Sequence, residues 1–380
     1  MADFGRREFI RGAGCLALSQ QTRPLLSLSA GGGSAATSGN LPSVIDTHIH
    51  LYDPTRPGGV PWPEKDDSAL YRPALPARYR ALAKPYGVVG AIAIECSPLA
   101  ADNDWLLRTA ESSDWIVGVI GDLDPALPSF ATELERLRAN NLFRGIRYGN
   151  LWGRSLSAGL KEVAFVENLK LLAASGLLLE SANPNPTLIA ELLRLTRLVP
   201  GLRIVIDHLP QAIPPDNIDL RNRYLNDLSA LSKQAHVFVK GSEILRRIDG
   251  KVPTGLDTYR PWLDRIWEIF GEDRMLFGSD WPNSDHLAPF GSTFEIAKQY
   301  IATRGTIAME EYFWRNSTVA YGWKARNAAQ AALQRRSGVE RVDEGMARVE
   351  CGRECCGIFR GRGRVHNGNY GKTIAGPGWG

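Results

Sequence analysis

Eight short apolar runs recur between residues 44 and 280, alternating with longer amphipathic stretches. The runs are 44–48, 89–95, 116–122, 143–147, 177–180, 203–208, 236–240 and 274–280. Each is rich in β-branched or aliphatic residues and bounded by turn residues, the pattern of a buried strand. Helical spacing follows them near 77–86, 103–113, 129–140, 162–175, 187–198, 221–234, 257–271 and 292–304. Leu188, Leu192, Leu195 and Leu198 mark one apolar helix face. Eight strand–helix units in this span are the arithmetic of an α/β fold, a closed (β/α)8 TIM barrel. An open doubly wound sheet also alternates, but no Gly-rich phosphate fingerprint follows the first run. The loop 51–76 is long and rich in Pro and Trp, on the face where loops build substrate pockets.

The regions outside the barrel read differently. Net charge is +4 over 380 residues; residues 1–40 carry +2 and 324–380 carry +6, which leaves −4 for the body. No basic stripe interleaved with aromatics lies in the body, so nucleic acid is not an expected partner. Arg6-Arg7-Glu8-Phe9-Ile10-Arg11, then a short apolar stretch and small residues, follows the plan of an export signal. The expectation is a twin-arginine-like signal and linker over 1–43 and a periplasmic destination; a disordered basic N-terminus in a cytoplasmic protein is the alternative. No run of about 18 apolar residues occurs, so no transmembrane helix is expected. Residues 324–380 form a basic Gly/Arg-rich tail, with disorder expected beyond about 335. The five cysteines (Cys15, Cys96, Cys351, Cys355 and Cys356) make no disulfide framework.

Chemistry concentrates at the ends of the apolar runs. In Asp46-Thr47-His48-Ile49-His50, alternation along a strand places the two histidines on one side, at the barrel mouth. Two imidazoles there can chelate a metal ion or polarise a carbonyl; solvent-facing histidines in a turn are the plainer reading. Asp207-His208 ends the sixth run and Asp280 the eighth, and strand eight neighbours strand one in a closed barrel. Arg147 at the end of strand four can bind a substrate carboxylate or serve the barrel wall. Lys240 can meet substrate oxygens or pair with Glu243 or Glu95. Trp62, Tyr148, Trp152 and Trp281 offer rings for a sugar-like substrate. Asp46 reads as a positioning group and His286 as a pocket-lining one.

These motifs, with Leu276-Phe277-Gly278-Ser279-Asp280-Trp281-Pro282 and the closing Asn316-Ser317-Thr318-Val319-Ala320-Tyr321-Gly322, resemble the amidohydrolase superfamily over about 44–323. The resemblance is to its amidohydrolase-2 branch, with sugar-lactone and pyrone-dicarboxylate lactonases. It implies a hydrolase in which Asp280 activates water against a lactone, ester or amide carbonyl, assisted by His208. Arg147, Trp281, Lys240 and Tyr148 are then the expected substrate-binding residues, and a carbohydrate-derived lactone the expected small-molecule substrate. Superfamily metal sites often place Lys or Glu on strand four and His on strand five; here Arg147 and Glu180 stand there. The expectation is therefore one divalent ion, zinc or manganese, on His48, His50 and Asp280 with Glu180 or His208, or no metal at all, as in some lactonases of this branch. The branch also contains metal-dependent decarboxylases of aromatic acids. A non-catalytic exported binding barrel is the third reading, and an oligomer is compatible with all three.

Overall fold

Eight parallel strands run in sequence order around one sheet: β1 (Val44–His50), β2 (Val88–Ile94), β3 (Ile116–Gly121), β4 (Phe143–Arg147), β5 (Leu178–Ser181), β6 (Arg203–Ile206), β7 (Val237–Lys240) and β8 (Met275–Leu276). This computed structural model describes residues 42–336. The paired arginines, the linker up to residue 41 and the three tail cysteines lie outside the described residues. The outer layer comprises α1 (Pro76–Ala83), α2 (Ala100–Glu111), α3 (Phe130–Arg138), α4 (Leu156–Gly159), α5 (Val163–Ala174), α6 (Pro186–Leu198), α7 (Ile218–Ser232), α8 (Arg260–Phe270), α9 (Phe290–Ala302), α10 (Thr306–Glu310) and α11 (Asn316–Tyr321). The α/β alternation expected from sequence is the observed one, and the fold is a (β/α)8 barrel.

Sequence dictates most of this locally. The strands are buried on both faces, as parallel strands sheathed by helices must be, so they read as continuous apolar runs. Helix α6 begins with Asn185, whose side chain accepts from Leu188 N, and carries Pro186 in its first turn, where no backbone donor is lost. Its Leu188, Leu192 and Leu195 are buried against the barrel.

The last strand is shorter than its apolar run. After Leu276 the chain leaves the regular ladder, and Phe277 N donates to Tyr312 O in the π-helical turn Glu311–Arg315. The barrel nevertheless closes. Thr47 N donates to Phe277 O at 3.0 Å, Asp280 N to His48 O at 2.9 Å, and His50 N to Trp281 O at 2.7 Å. Gly278 lies in this seam, where a Cβ would stand 2.9 Å from His48 Cβ and 3.3 Å from Ser242 Cβ.

Residues 324–336, grouped with the tail on composition, close the barrel's lower end. The helical stretch 328–336 carries Gln330, whose Nε2 donates to Val89 O and Asp114 O. Arg326 donates to the carbonyls of Ala110, Ser113 and Ile116. Trp323 and Leu333 join the barrel-interior cluster of Ile45, Ile92, Val117, Leu178, Val205 and Leu276. Composition hid this because few side chains do the work, and most of them are polar groups meeting strand-end carbonyls.

Gly278→Ala is expected to destabilise the fold by about 1–3 kcal/mol, the usual range for an added methyl in a filled core. Chemical denaturation should show a lower midpoint with an unchanged slope.

Candidate active site

The buried charged side chains of the described residues gather toward the upper end of the barrel. Asp280 leaves the β8 side of the seam with φ of +58°, and His208, beyond β6, has φ of +49°. Glu243, beyond β7, has φ of +51°. Left-handed backbone is rare for residues with a Cβ and collects at functional sites, where surrounding packing holds it in place.

Strand β1 delivers its histidines by an irregularity. Ile45 faces the barrel interior, whereas Val44 belongs to the layer beneath the helices and Asp46 reaches Tyr79 of α1. Strict alternation would therefore turn His48 and His50 outward. The register against β2 shifts between Asp46 and Ile49, one residue more on β1 than on its partner. Beyond the shift, Ile49 packs outward and both histidines face the interior. Asp46 holds this bend: one oxygen accepts from His48 N (3.1 Å) and Ser279 N (2.9 Å), the other from Tyr79 Oη (2.7 Å).

Three imidazoles meet one carboxylate oxygen. Asp280 Oδ1 lies 3.2 Å from His50 Nε2, 3.4 Å from His48 Nε2 and 3.8 Å from His208 Nε2. Asp280 Oδ2 accepts from Asn283 Nδ2 at 2.7 Å, and the same amide reaches Glu243 Oε1 at 3.2 Å. Burial alone would raise the Asp280 carboxyl, but His208, the His50 hydrogen bond and His48 together hold it well below the usual carboxylate range. Glu243 goes the opposite way: burial and the neighbouring Asp280 charge push it well above its ordinary value. Burial lowers His208 to about 4, leaving it neutral at physiological pH, with Nδ1 on Ser242 Oγ at 2.8 Å.

Below this layer sits a buried ammonium. Lys240 Nζ donates to Glu180 Oε2 at 2.8 Å, lies 3.1 Å from Asp207 Oδ1 and meets His48 Nδ1 at 3.0 Å. Glu180 Oε1 accepts from Tyr321 Oη at 2.6 Å. Burial pushes Glu180 up to about 7 against the pull of Lys240. Asp207 stays well below its ordinary value despite burial, held by Lys240, His48 and Arg147. Arg147 Nε donates to Asp207 Oδ2 at 2.9 Å, and its Nη1 lies 3.7 Å from Glu95 Oε1.

The structure thus brings His48, His50, His208 and Asp280 together, with Arg147 beside them. It takes Glu180 away from them: both its oxygens are engaged by Lys240 and Tyr321, and it belongs to no ligand set among the described residues. Lys240 is fully buried, and its contacts are internal acceptors, including Glu180 in place of the expected Glu243 or Glu95. Trp281 packs on Tyr79 and under the Arg78 guanidinium, toward the helices. Tyr148 packs on Phe165 of α5 and under Arg154. Strand alternation explains Tyr148, which follows the inward-facing Arg147 at the end of β4. Trp62 is the ring that reaches the mouth, 5.7 Å from His50, and Trp152 Nε1 donates to Glu95 Oε2 at 3.1 Å. His286 bonds Asp67 of the 51–76 loop at 2.9 Å. Sequence reasoning undervalued Glu243 and missed Asn283; Glu243's place after a strand end was the available signal.

The donor set suits a divalent cation. His48, His50 and Asp280 form one group of convergent ligand atoms, and His208, Glu243 and Asp280 another. His50 Nδ1 faces the Ile94 carbonyl at 3.2 Å and must donate to it, so a neutral ring would turn the Nε2 lone pair toward Asp280 Oδ1, whereas the hydrogen bond that lowers Asp280 requires a proton on that nitrogen. Two acceptors at that separation need a shared proton or a cation between them.

Residues 45–323 match the family model described as amidohydrolase. The chain is 27% identical to an L-fucono-1,5-lactonase of Burkholderia ambifaria over 252 residues, 65% of this chain and 83% of that protein. It is 26% identical to a 4-sulfomuconolactone hydrolase of Rhizobium radiobacter, over 64% of this chain and 77% of that one. An amidohydrolase from Burkholderia multivorans, solved with bound zinc, superposes with a TM-score of 0.64 at 20% identity, covering 74% of this chain and all of that one. With its barrel, strand-end histidines and strand-eight aspartate, this chain belongs to the amidohydrolase superfamily, in the amidohydrolase-2 branch, and is an enzyme of that family.

Proposed function

We propose that the protein hydrolyses a lactone, with Asp280 as general base. The observation that carries this reading is the convergence of three imidazole nitrogens on Asp280 Oδ1 at the barrel mouth. A carboxylate kept ionised beside a fully buried polar cluster is poised to take a proton from water. The water oxygen bonds to the lactone carbonyl carbon as its proton passes to Asp280. The carbonyl π electrons move onto oxygen, and an imidazole of the cluster that carries its proton on Nε2 receives the resulting oxyanion. On collapse the ring C–O bond breaks, and Asp280 returns the proton to the departing alkoxide. The product is an open-chain hydroxy acid.

The relatives' names support a lactone, and the charge pattern supports a neutral, hydroxyl-bearing one. Arg147, the guanidinium beside the cluster, is already matched to Asp207 and Glu95. Arg154, in the loop after β4, is matched to Asp122 and Asp124. A second carboxylate on the substrate would have to displace one of these partners. Glu95, Trp62 and Trp152 instead offer an acceptor and two ring surfaces, a combination suited to a sugar-derived ring. If a divalent ion is bound, His208, Glu243 and Asp280 would hold it, and it would polarise the carbonyl and acidify water. For the N-terminal segment we propose export by a twin-arginine route.

Asp280→Asn is expected to lower kcat for aldonolactone opening by at least about 100-fold, with the fold intact by circular dichroism; wild-type turnover in that variant would dismiss the general-base assignment. In a panel of lactones, neutral sugar lactones should show higher kcat/KM than dicarboxylate-bearing pyrones, and Arg147→Gln should not improve the pyrones. The pH profile follows from the two shifts above. Asp280 is ionised throughout the neutral range and His208 gains its proton only near pH 4, so kcat/KM should hold steady from neutral pH downward and fall as pH approaches about 4. An acid limb centred near neutrality would contradict this.

A further inference from the structure

The two strand-one histidines look equivalent, yet their far nitrogens face opposite partners. His50 Nδ1 faces a carbonyl, which can only accept. His48 Nδ1 faces the Lys240 nitrogen at 3.0 Å, while the nearest carboxylate oxygen, on Asp207, stands at 3.7 Å. Lys240 is fully buried, and its other two neighbours are the carboxylates of Glu180 and Asp207. An ammonium has three protons and no lone pair. Lys240 Nζ donates to Glu180 Oε2 and meets His48 Nδ1, while Asp207 Oδ1, at 3.1 Å, is an ion-pair partner that accepts no hydrogen bond. His48 Nδ1 must then offer its lone pair, and the imidazole proton sits on Nε2.

We infer that Lys240 is a positioning residue that fixes His48 as an Nε2–H donor at the reaction centre and takes it out of any metal-ligand set. In the resting protein that N–H has two acceptors within reach, His50 Nε2 at 3.3 Å and Asp280 Oδ1 at 3.4 Å. A ligating imidazole needs a lone pair on the nitrogen facing the metal, with its other N–H usually given to a carboxylate or carbonyl. His48 has the reverse polarity, imposed from below. A cation therefore seats on the His208–Glu243–Asp280 side, where Ser242 Oγ can take the His208 Nδ1 proton. When a lactone occupies the mouth, its carbonyl oxygen replaces the resting acceptors of His48; this last step rests on the lactonase reading, whereas the tautomer does not.

Nitrogen-15 NMR of histidine-labelled protein tests the tautomer directly, with His48→Gln identifying the resonance by its loss. In metal-free wild type, His48 should show a protonated Nε2 and an unprotonated Nδ1; the reverse overturns the inference whatever the enzyme's substrate proves to be. Adding zinc chloride alone should leave the His48 Nε2–H in place, and conversion of His48 to an Nε2-metallated, Nδ1–H form would overturn its exclusion from the metal set. Lys240→Met leaves two buried carboxylates without their cation and risks misfolding, so it is paired with Lys240→Met/Glu180→Gln. In whichever of the two folds, His48 should move toward the Nδ1–H form directed at Asp207. An unchanged tautomer there would show that Lys240 does not set it. On a lactone substrate the same variant should lose about 100-fold in kcat, the scale of one oxyanion donor, with KM changed far less.

Discussion

Closure of the barrel between its first and last strands is the contact on which the rest of the molecule depends. The seam is held by three backbone hydrogen bonds and by the Asp46 carboxylate, which ties β1, Ser279 and Tyr79 of α1 to one point. Burial works against ionisation of Asp46, so its three donors are what make it tolerable there. The same few residues that join β8 to β1 carry His48, His50 and Asp280. Closure and assembly of the site are therefore one event. An open sheet of the same strands would leave Asp280 at one edge and the histidines at the other.

Inside the closed barrel, an apolar lower half supports a polar upper half. The lower half is filled by aliphatic side chains and sealed by Trp314, Tyr321, Trp323 and Leu333. The upper half holds Lys240 among Glu180, Asp207 and His48, with Tyr321 reaching up to Glu180. A buried ion pair rarely adds net stability compared with apolar packing, and removal of one partner is costly. Its value here is directional: each charge fixes which proton its neighbour carries. Rigid strands then hold those protons at the mouth, where loops supply Trp62, Trp152 and Asn283.

The fold was largely legible from the chain because helix and strand periods are local properties. Every apolar run became a strand and every assigned amphipathic stretch a helix, within a few residues. The last strand ended early because Phe277 bonds to a turn some 35 residues onward, which no local pattern announces. The lower seal at 324–336 escaped for a similar reason, since Arg326 and Gln330 act by meeting carbonyls of distant strands. At the mouth, Arg147 ends β4 and lies where alternation puts it, while His208 and Asp280 were legible from chain position alone, their left-handed backbone lying beyond the regular strands. Residues whose orientation depends on partners were not. Trp281 and Tyr148 turn toward the helices, and Glu180 is taken up by Lys240 and Tyr321.

The paired histidines show where the boundary falls. Sequence alone determined that His48 and His50 share a side, because a spacing of two repeats the strand period. Which side they share was decided by the register shift between Asp46 and Ile49, a consequence of β1 pairing with β2 and of Asp46 bonding Ser279 and Tyr79. Their chemical difference was decided later still, by what lies behind each ring: a β2 carbonyl for His50, a β7 ammonium for His48. Periodicity is written in neighbouring residues. Orientation and proton placement come from groups 44 and 192 positions away, which meet only when the barrel closes.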